Sequence, residues 1–460
     1  MKPDYKDRRA LSLAARPGRS KRRADRTSPR RRIVPFLVVT VSAAAQTLAQ
    51  KPAPARLPNV IIACVDPAPS SRAKACQTWV RTGDTLYELG SGNTLAVERF
   101  GAGGVVISGK EGNSQVTKTF SGKIVANHVQ GTETMDLGTL SPARPQYNWF
   151  ARFFYPPAGD PAQGHYVFAA CENKVTIINT ANHATNTLNL DPQKVTGALT
   201  VSPDGSKAYI SDLGDPRHPA DLFVVDGHSG AIVPRFSMQN TPTPYGVSSL
   251  AISGDGSTLY GIGFDKPHLN SAIVALDASS GAAKASELLP KTYRWDSNQH
   301  DPMLVLSGST LVLDDNTALD FALPPGAPLI FGSNGHGLAA FPDGKQICSR
   351  EHLFMIGTRA SVRSLACNAI SPDGTKVYAS GQLLHNQEGT PATNPYYGSQ
   401  VGGLWGSGGL GVTSDGATIY TVDTDRSMVY TVDTATNLTT DAIPVCEKPQ
   451  LLGIEPLRRR

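Results

Sequence analysis

Few of the signatures that announce an activity occur in this chain of 460 residues. It has no Walker A loop, no H-E-x-x-H pair, no G-x-S-x-G elbow and no EF-hand loop, which removes the simplest routes to nucleotide, zinc-peptidase, serine-hydrolase and calcium-sensor chemistry. The six cysteines, Cys64, Cys76, Cys171, Cys348, Cys367 and Cys446, show no C-x-x-C or C-x-x-C-H spacing, so neither a zinc finger nor covalently attached haem is expected. Gly-x-Gly-x-x-Gly at 406–411 opens a strand instead of a helix, which argues against a dinucleotide site, and Ser-x-x-Lys at 71–74 stands without the companion motifs of β-lactamases. Beyond the N-terminal region no apolar run is long enough to span a bilayer. Turn formers, by contrast, abound: 44 Gly and 34 Pro in a chain that is 40% hydrophobic imply many short strands around a large core.

Charge is unevenly spread. Residues 1–32 hold thirteen Lys/Arg against three Asp, a local +10, so of the overall +5 the other 428 residues contribute −5. A mildly acidic body argues against a nucleic-acid partner. The basic leader runs into an apolar stretch at 33–41 and a small-residue run ending at Ala49, the pattern of an export signal, with Arg31-Arg32 giving it a twin-arginine flavour. Residues 1–49 are therefore read as a signal with a long basic leader, and 50–58 as a Pro-rich tether. The destination is periplasmic or extracellular, without a membrane span once the signal is cleaved. An even cysteine count there permits three disulfides; Cys64–Cys76 and Cys348–Cys367 are the sequence-local pairs, and buried free thiols are the alternative.

The body is organised around a recurring turn. Ser-Pro-Asp-Gly at 202–205 returns as Ser-Gly-Asp-Gly at 253–256, Phe-Pro-Asp-Gly at 341–344, Ser-Pro-Asp-Gly at 371–374 and Ser-Asp-Gly at 414–416. Asp-Gly favours a primed two-residue hairpin turn, the glycine supplying positive φ. Five residues before each Asp stand Leu199, Leu250, Leu338, Asn368 and Leu410, and five after it Tyr209, Tyr260, Cys348, Tyr378 and Tyr420, the period of a strand with one buried face. Degenerate copies place further turns near 161 and 307. The turns at 161, 204, 255, 307, 343, 373 and 415 lie 43, 51, 52, 36, 30 and 42 residues apart, spacings that fit the four-strand blade of a β-propeller, except that 30 residues is short for a blade and implies a misplaced neighbour. Later in each repeat an apolar strand ends in Asp or Asn, at 222–226, 272–277, 429–433 and 175–179.

Ser-Pro-Asp-Gly-x-x-x-Tyr followed by such a strand resembles the YVTN-type β-propeller repeat of bacterial and archaeal surface and periplasmic proteins, over about residues 160–440. The resemblance implies an all-β propeller of seven blades, six to eight being compatible, each of four antiparallel strands. It implies no activity, since such propellers include binding modules, surface-layer components and relatives of lactonase and amine-dehydrogenase propellers. Residues 151–446 are assigned to the propeller, 447–460 to a C-terminal tail, and 59–150 to a β-rich segment that is either one or two irregular blades or a small β-domain.

In such a propeller ligands meet the channel mouth, at the end of the inner strand opposite the Asp-Gly turn. Seven residues before each turn position, Asp204, Asp255, Ser307, Asp343, Asp373 and Asp415, stand Gly197, Ser248, His300, His336, Ala366 and Gly408. His300 and His336, with Asp301 beside the first, are candidates for a divalent-metal or acid/base site, the plain alternative being polar side chains facing channel water. The loops expected on that face add Asp212 and His218, Asp265 and His268, and His385 in a long insertion at 380–403; Tyr245, Arg294 and Trp295 complete the expected ligand-binding set. The reading this favours is a secreted module that binds a small molecule, glycan or protein. The competing readings are a metal-assisted lactone or ester hydrolase or lyase, and a surface-layer building block.

Overall fold

The computed structural model describes residues from Leu57 to Glu455; short segments fall outside the description, and between 289 and 408 it covers chiefly the strands and residues 369–379. Among the described residues the chain is all-β, with only two short 3-10 turns, Gly138–Leu140 and Pro161–Gln163.

Eight antiparallel strands, from Val60–Val65 to Gln146–Phe154, form a closed barrel in which the first strand pairs with both the second and the eighth. Period-two alternation builds its interior: Trp149, Ala151 and Phe153 point inward from the last strand, and Trp79, Phe120 and Trp149 make an aromatic cluster with centroids 4.7 to 6.2 Å apart. The first strand reads as a continuous apolar run because its other face is buried as well: Val60, Ile62 and Cys64 pack with Met428, Tyr430 and Ala442 near the C-terminal end of the chain. Cys64 and Cys76 lie directly opposite each other on neighbouring strands and are joined by a disulfide.

Seven further antiparallel sheets follow, numbered I to VII here. Sheet I comprises Tyr166–Ala170, Lys174–Asn179 and Thr185–Asn189, with Leu451–Gly453 added beside the first of these. Sheet II runs from Val195–Val201 to Ala231–Ser237, and sheet III from Val247–Ile252 to Ala283–Leu288. Sheet IV has three described strands, from Met303–Val305 to Ala318–Asp320. Sheet V runs from Ala339–Ala340 to Ser361–Ser364, sheet VI from Ala369–Ile370 to Pro391–Ala392, and sheet VII from Leu410–Val412 to Leu438–Pro444. The inner strands neighbour one another from I to II, II to III, III to IV, V to VI, VI to VII, and from VII back to Leu451–Gly453 of sheet I.

Packing between neighbouring sheets explains a departure from the expected alternation. Every residue of Val247–Ile252, and all but the first of Val195–Val201, is buried, because both faces of an inner strand meet another sheet. In sheet II alternating exposure appears at the outer edge, in Ala231–Ser237.

The recurring turn also differs from expectation. Gly205 N–H donates to the Ser202 carbonyl (2.8 Å) and Ser202 N–H to the Lys207 carbonyl (2.8 Å), while only the glycine takes positive φ, +73°. The loop therefore has four residues and is built on an i to i+3 turn, where a primed two-residue turn would need positive φ at the Asp too. The Asp204 carboxylate accepts from Ser202 Oγ (2.6 Å) and from the Ser206 N–H (3.0 Å), and Ser202 Oγ in turn accepts from the Lys207 N–H (2.9 Å). The same arrangement recurs at Asp255, Asp373 and Asp415.

Four expectations need correction. The 30-residue interval is nevertheless one full repeat, since sheet V packs its four strands, each of only two to four residues, into 339–364. The run 380–403, expected as one loop insertion, contains the strands Gln382–His385 and Pro391–Ala392 of sheet VI. Residues 447–460, expected as a tail, supply Leu451–Gly453, while the turn near 161 precedes the second strand of sheet I and has no inner strand ahead of it in the chain.

Candidate functional site

Of the loops expected to carry ligand-binding residues, the best described lies between sheets II and III. Loop 214–220, between the second and third strands of sheet II, is fastened to the segment entering sheet III: Gly214 N–H donates to the Tyr245 carbonyl (3.1 Å) and Ala220 N–H to the Pro244 carbonyl (2.9 Å). Gly246, at φ +88°, lies so close to the loop that a Cβ would stand 2.2 Å from the Asp212 carbonyl oxygen, so only glycine fits this crossing. Two expected residues, Asp212 and Tyr245, are thus brought together. His218 lies on the same loop, exposed, with Nδ1 3.3 Å from Asp215 Oδ2. Asp215 has its carboxyl held below the ordinary value by the Arg217 N–H first, and then by His218. Exposed Asp215, Arg217 and His218 therefore stand on a loop whose two ends are immobilised.

Beneath this loop lies a cluster that sequence reading only half found. Carboxylate oxygens of Asp191, Asp212 and Asp221 lie within 4.8 Å of one another. Asp212 Oδ1 accepts from the Asp221 N–H (2.6 Å), and Arg235 Nη2 pairs with Asp221 and with Asp191 (3.3 Å). Three carboxylates suit a hard divalent cation. The Arg235 guanidinium, however, already brings positive charge to two of the three and stands over the Phe223 ring, 5.3 Å from its centroid, so a metal would compete with a seated side chain. Asp221 and Arg235 come from neighbouring strands of sheet II and Asp191 from the end of sheet I, a juxtaposition set by packing between sheets. The one local signal is the strand 221–226, which carries a carboxylate at each end, only the later of which marks the repeat.

His385 ends the strand Gln382–His385 and pairs with Lys376 in the backbone register of sheet VI. His300, Asp301, His336, Asp265, His268, Arg294 and Trp295 lie outside the described residues, as does Cys367 of the expected Cys348–Cys367 pair.

Two buried polar networks were not anticipated. Asp423 Oδ2 accepts from Arg426 Nη1 (2.7 Å) and from the Tyr430 hydroxyl (3.0 Å), while Arg426 Nη2 donates to the Tyr87 hydroxyl of the barrel and its guanidinium lies 4.1 Å from the Tyr87 ring centroid. His183, at φ +56°, places Nδ1 2.6 Å from Asp441 Oδ2 and Nε2 3.3 Å from the Tyr420 hydroxyl, and Asp441 Oδ1 accepts from Asn59 Nδ2 (2.8 Å). Both networks join elements distant in sequence and brace the barrel, sheet I and sheet VII. A second disulfide, Cys171–Cys446, spans 275 residues and links the turn before Lys174–Asn179 to the segment leading into Leu451–Gly453.

No family model matches this chain, and no curated protein does. Among solved structures, a protein of unknown function from Desulfotomaculum acetoxidans is similar at 10% identity and TM-score 0.45, covering 63% of this chain and 98% of its own. A candidate 6-phosphogluconolactonase from Bacteroides fragilis is similar at 14% identity and TM-score 0.42, with 64% and 98% covered. The β-propeller domain of Cps50 from Myceliophteria thermophila shows 11% identity and TM-score 0.34, with 55% and 86% covered.

Proposed function

We propose that this chain is an exported seven-bladed β-propeller, preceded by a small β-barrel, that binds a small molecule, glycan or protein through its channel-mouth loops. Sheets I to VII are the blades, and Leu451–Gly453 closes the ring by completing the first of them. Two disulfides fit an oxidising compartment, and no helix among the described residues is long and apolar enough to cross a membrane. The observation that carries the binding role is loop 214–220, pinned at both ends to the next blade and presenting Asp215, Arg217 and His218 to solvent beside half-buried Tyr245. Its test is a thermal-shift screen of soluble oligosaccharides and peptides on the full protein. A hit should weaken with His218→Ala and Tyr245→Ala and persist with Lys207→Ala at the opposite end of the blade; insensitivity to both mouth substitutions would overturn the role.

The second reading, a metal-assisted hydrolase or lyase at the same mouth, draws on the three carboxylates of Asp191, Asp212 and Asp221, and requires an incoming cation to displace Arg235 from them. There His300 and His336 would hold a divalent metal with a carboxylate such as Asp301, Asp265 or Asp212, the metal polarising a carbonyl or activating water. Metal analysis of the purified protein separates the readings. Binding alone predicts no stoichiometric metal and no change in His300→Ala or His336→Ala; one retained equivalent, lost in those variants, would favour the enzyme.

A further inference from the structure

The barrel meets sheet VII along a cleft of about 520 Å³ that lies apart from the channel-mouth loops. Its floor is made by Ile62 and Phe150 from the outer face of the barrel, Leu438 from the last strand of sheet VII, and Cys64 of the barrel disulfide. His128 and Arg152, directly paired across neighbouring barrel strands, stand at its rim and are both exposed. The Arg152 guanidinium lies 5.4 Å from the Phe154 ring centroid, which steadies a long side chain at the opening. None of the lining residues is acidic, although the chain beyond its basic leader is net negative.

An apolar floor with a cation at its rim and no carboxylate selects an amphipathic anion. The volume falls in the range of small-molecule pockets and is too small for a helix or a second copy of the chain. We propose that this cleft is a ligand site for a carboxylate bearing an apolar body of about ten carbons, the body lying on Ile62, Phe150 and Leu438 and the carboxylate meeting Arg152 with His128 beside it. A charge-assisted hydrogen bond from the guanidinium fixes the polar end, while burial of the body supplies most of the affinity.

Calorimetric titration of the full protein with decanoate, below its micellar concentration, and with decanol tests this directly. The expected result is one saturable decanoate site, decanol binding about tenfold more weakly for want of the charge-assisted bond. Arg152→Gln, at an exposed position, should bring acid and alcohol level, and Leu438→Trp should fill the cleft and abolish both; a thermal melt checks that each variant is folded. His218→Ala should bind decanoate as the wild type does, so failure of the channel-mouth reading leaves this one standing. No submillimolar decanoate binding, equal binding of acid and alcohol to the wild type, or wild-type affinity in Arg152→Gln would each overturn it.

Discussion

Asp423 is almost wholly buried, and its carboxylate holds both the Arg426 guanidinium and the Tyr430 hydroxyl. Since Arg426 also reaches Tyr87, this one carboxylate orients the cation that ties sheet VII to the barrel. Removing it strands a half-buried guanidinium, so Asp423→Ala should cost about 3 kcal/mol by urea denaturation, with faster amide exchange in Thr85–Glu88. A loss below about 0.5 kcal/mol, the size of an ordinary surface change, would show the pair to be dispensable. Burial pushes the Tyr430 hydroxyl well above its ordinary range, and Asp423 adds to the shift.

The turn carboxylates fix the acid side of the stability profile. Burial opposes ionisation of Asp204 and Asp255, but bonds from Ser202 and Ser206, and from Ser253 and Ser257, hold both below the usual carboxylate value; at Asp373 the Ser371 hydroxyl is the largest influence and acts the same way. A carboxyl depressed in the folded state stabilises it above the unfolded value, near 4, and that contribution disappears as pH falls through the folded values. The urea midpoint should therefore drop between pH 5 and pH 2, less steeply in Asp204→Asn and Asp255→Asn. At the alkaline end burial, then Asp373, pushes Tyr378 up to about 12. The folded state favours the neutral phenol, so stability is intact below the unfolded value near 10 and is lost as pH rises from there through about 12. Tyr378→Phe should flatten the loss of stability above pH 10, and an unchanged alkaline profile in that variant would contradict this.

At the scale of the element, the recurring turn works through one left-handed residue. Gly256 has φ +74° and a Cβ there would make only an ordinary 3.4 Å contact with Pro203, so Gly256→Ala should cost about 1 kcal/mol from backbone strain alone. Gly416→Ala should cost more, because Pro372 stands 3.1 Å from the added atom. Paired chemical melts of the two variants check the order. These turns were legible in the sequence because their chemistry is local: an Asp that accepts from residues two before and two after it, then a glycine. Tyr209, Tyr260, Tyr378 and Tyr420 were legible for the same reason, each buried at a fixed distance beyond the turn. Strand alternation was not, since inner strands are covered on both faces, and neither was sheet V, whose strands are too short to leave a periodic pattern. The Asp191, Asp212 and Asp221 cluster with Arg235 was hidden more deeply, its members brought together by two sheets that meet only after folding.

Across the whole molecule, the two ends of the repeat region meet. Leu451–Gly453 lies against Tyr166–Ala170, Gln450 N–H donates to the Ala170 carbonyl (2.8 Å), and the Cys171–Cys446 disulfide fastens the same junction. The sequence hid this closure because its last strand has three residues and no turn motif of its own. Deleting residues 449–460 would bare the edge of Tyr166–Ala170, and the truncated protein should aggregate or lose its cooperative melt. A cross-link closing so long a loop restricts the unfolded chain by on the order of 5 kcal/mol, so Cys171→Ala with Cys446→Ala should lower the melting temperature well beyond the effect of removing Cys64–Cys76, which closes only 12 residues.

The proposed closure of seven sheets into one ring is the claim on which the rest depends, and non-reducing peptide mapping of the purified protein tests it most directly. One cross-linked peptide pair joining Cys171 to Cys446 is the predicted result, since residues 275 apart can be bridged there only if the chain returns to its first sheet. Cys171 and Cys446 both recovered as alkylated thiols, or each bridged to a different cysteine, would contradict it.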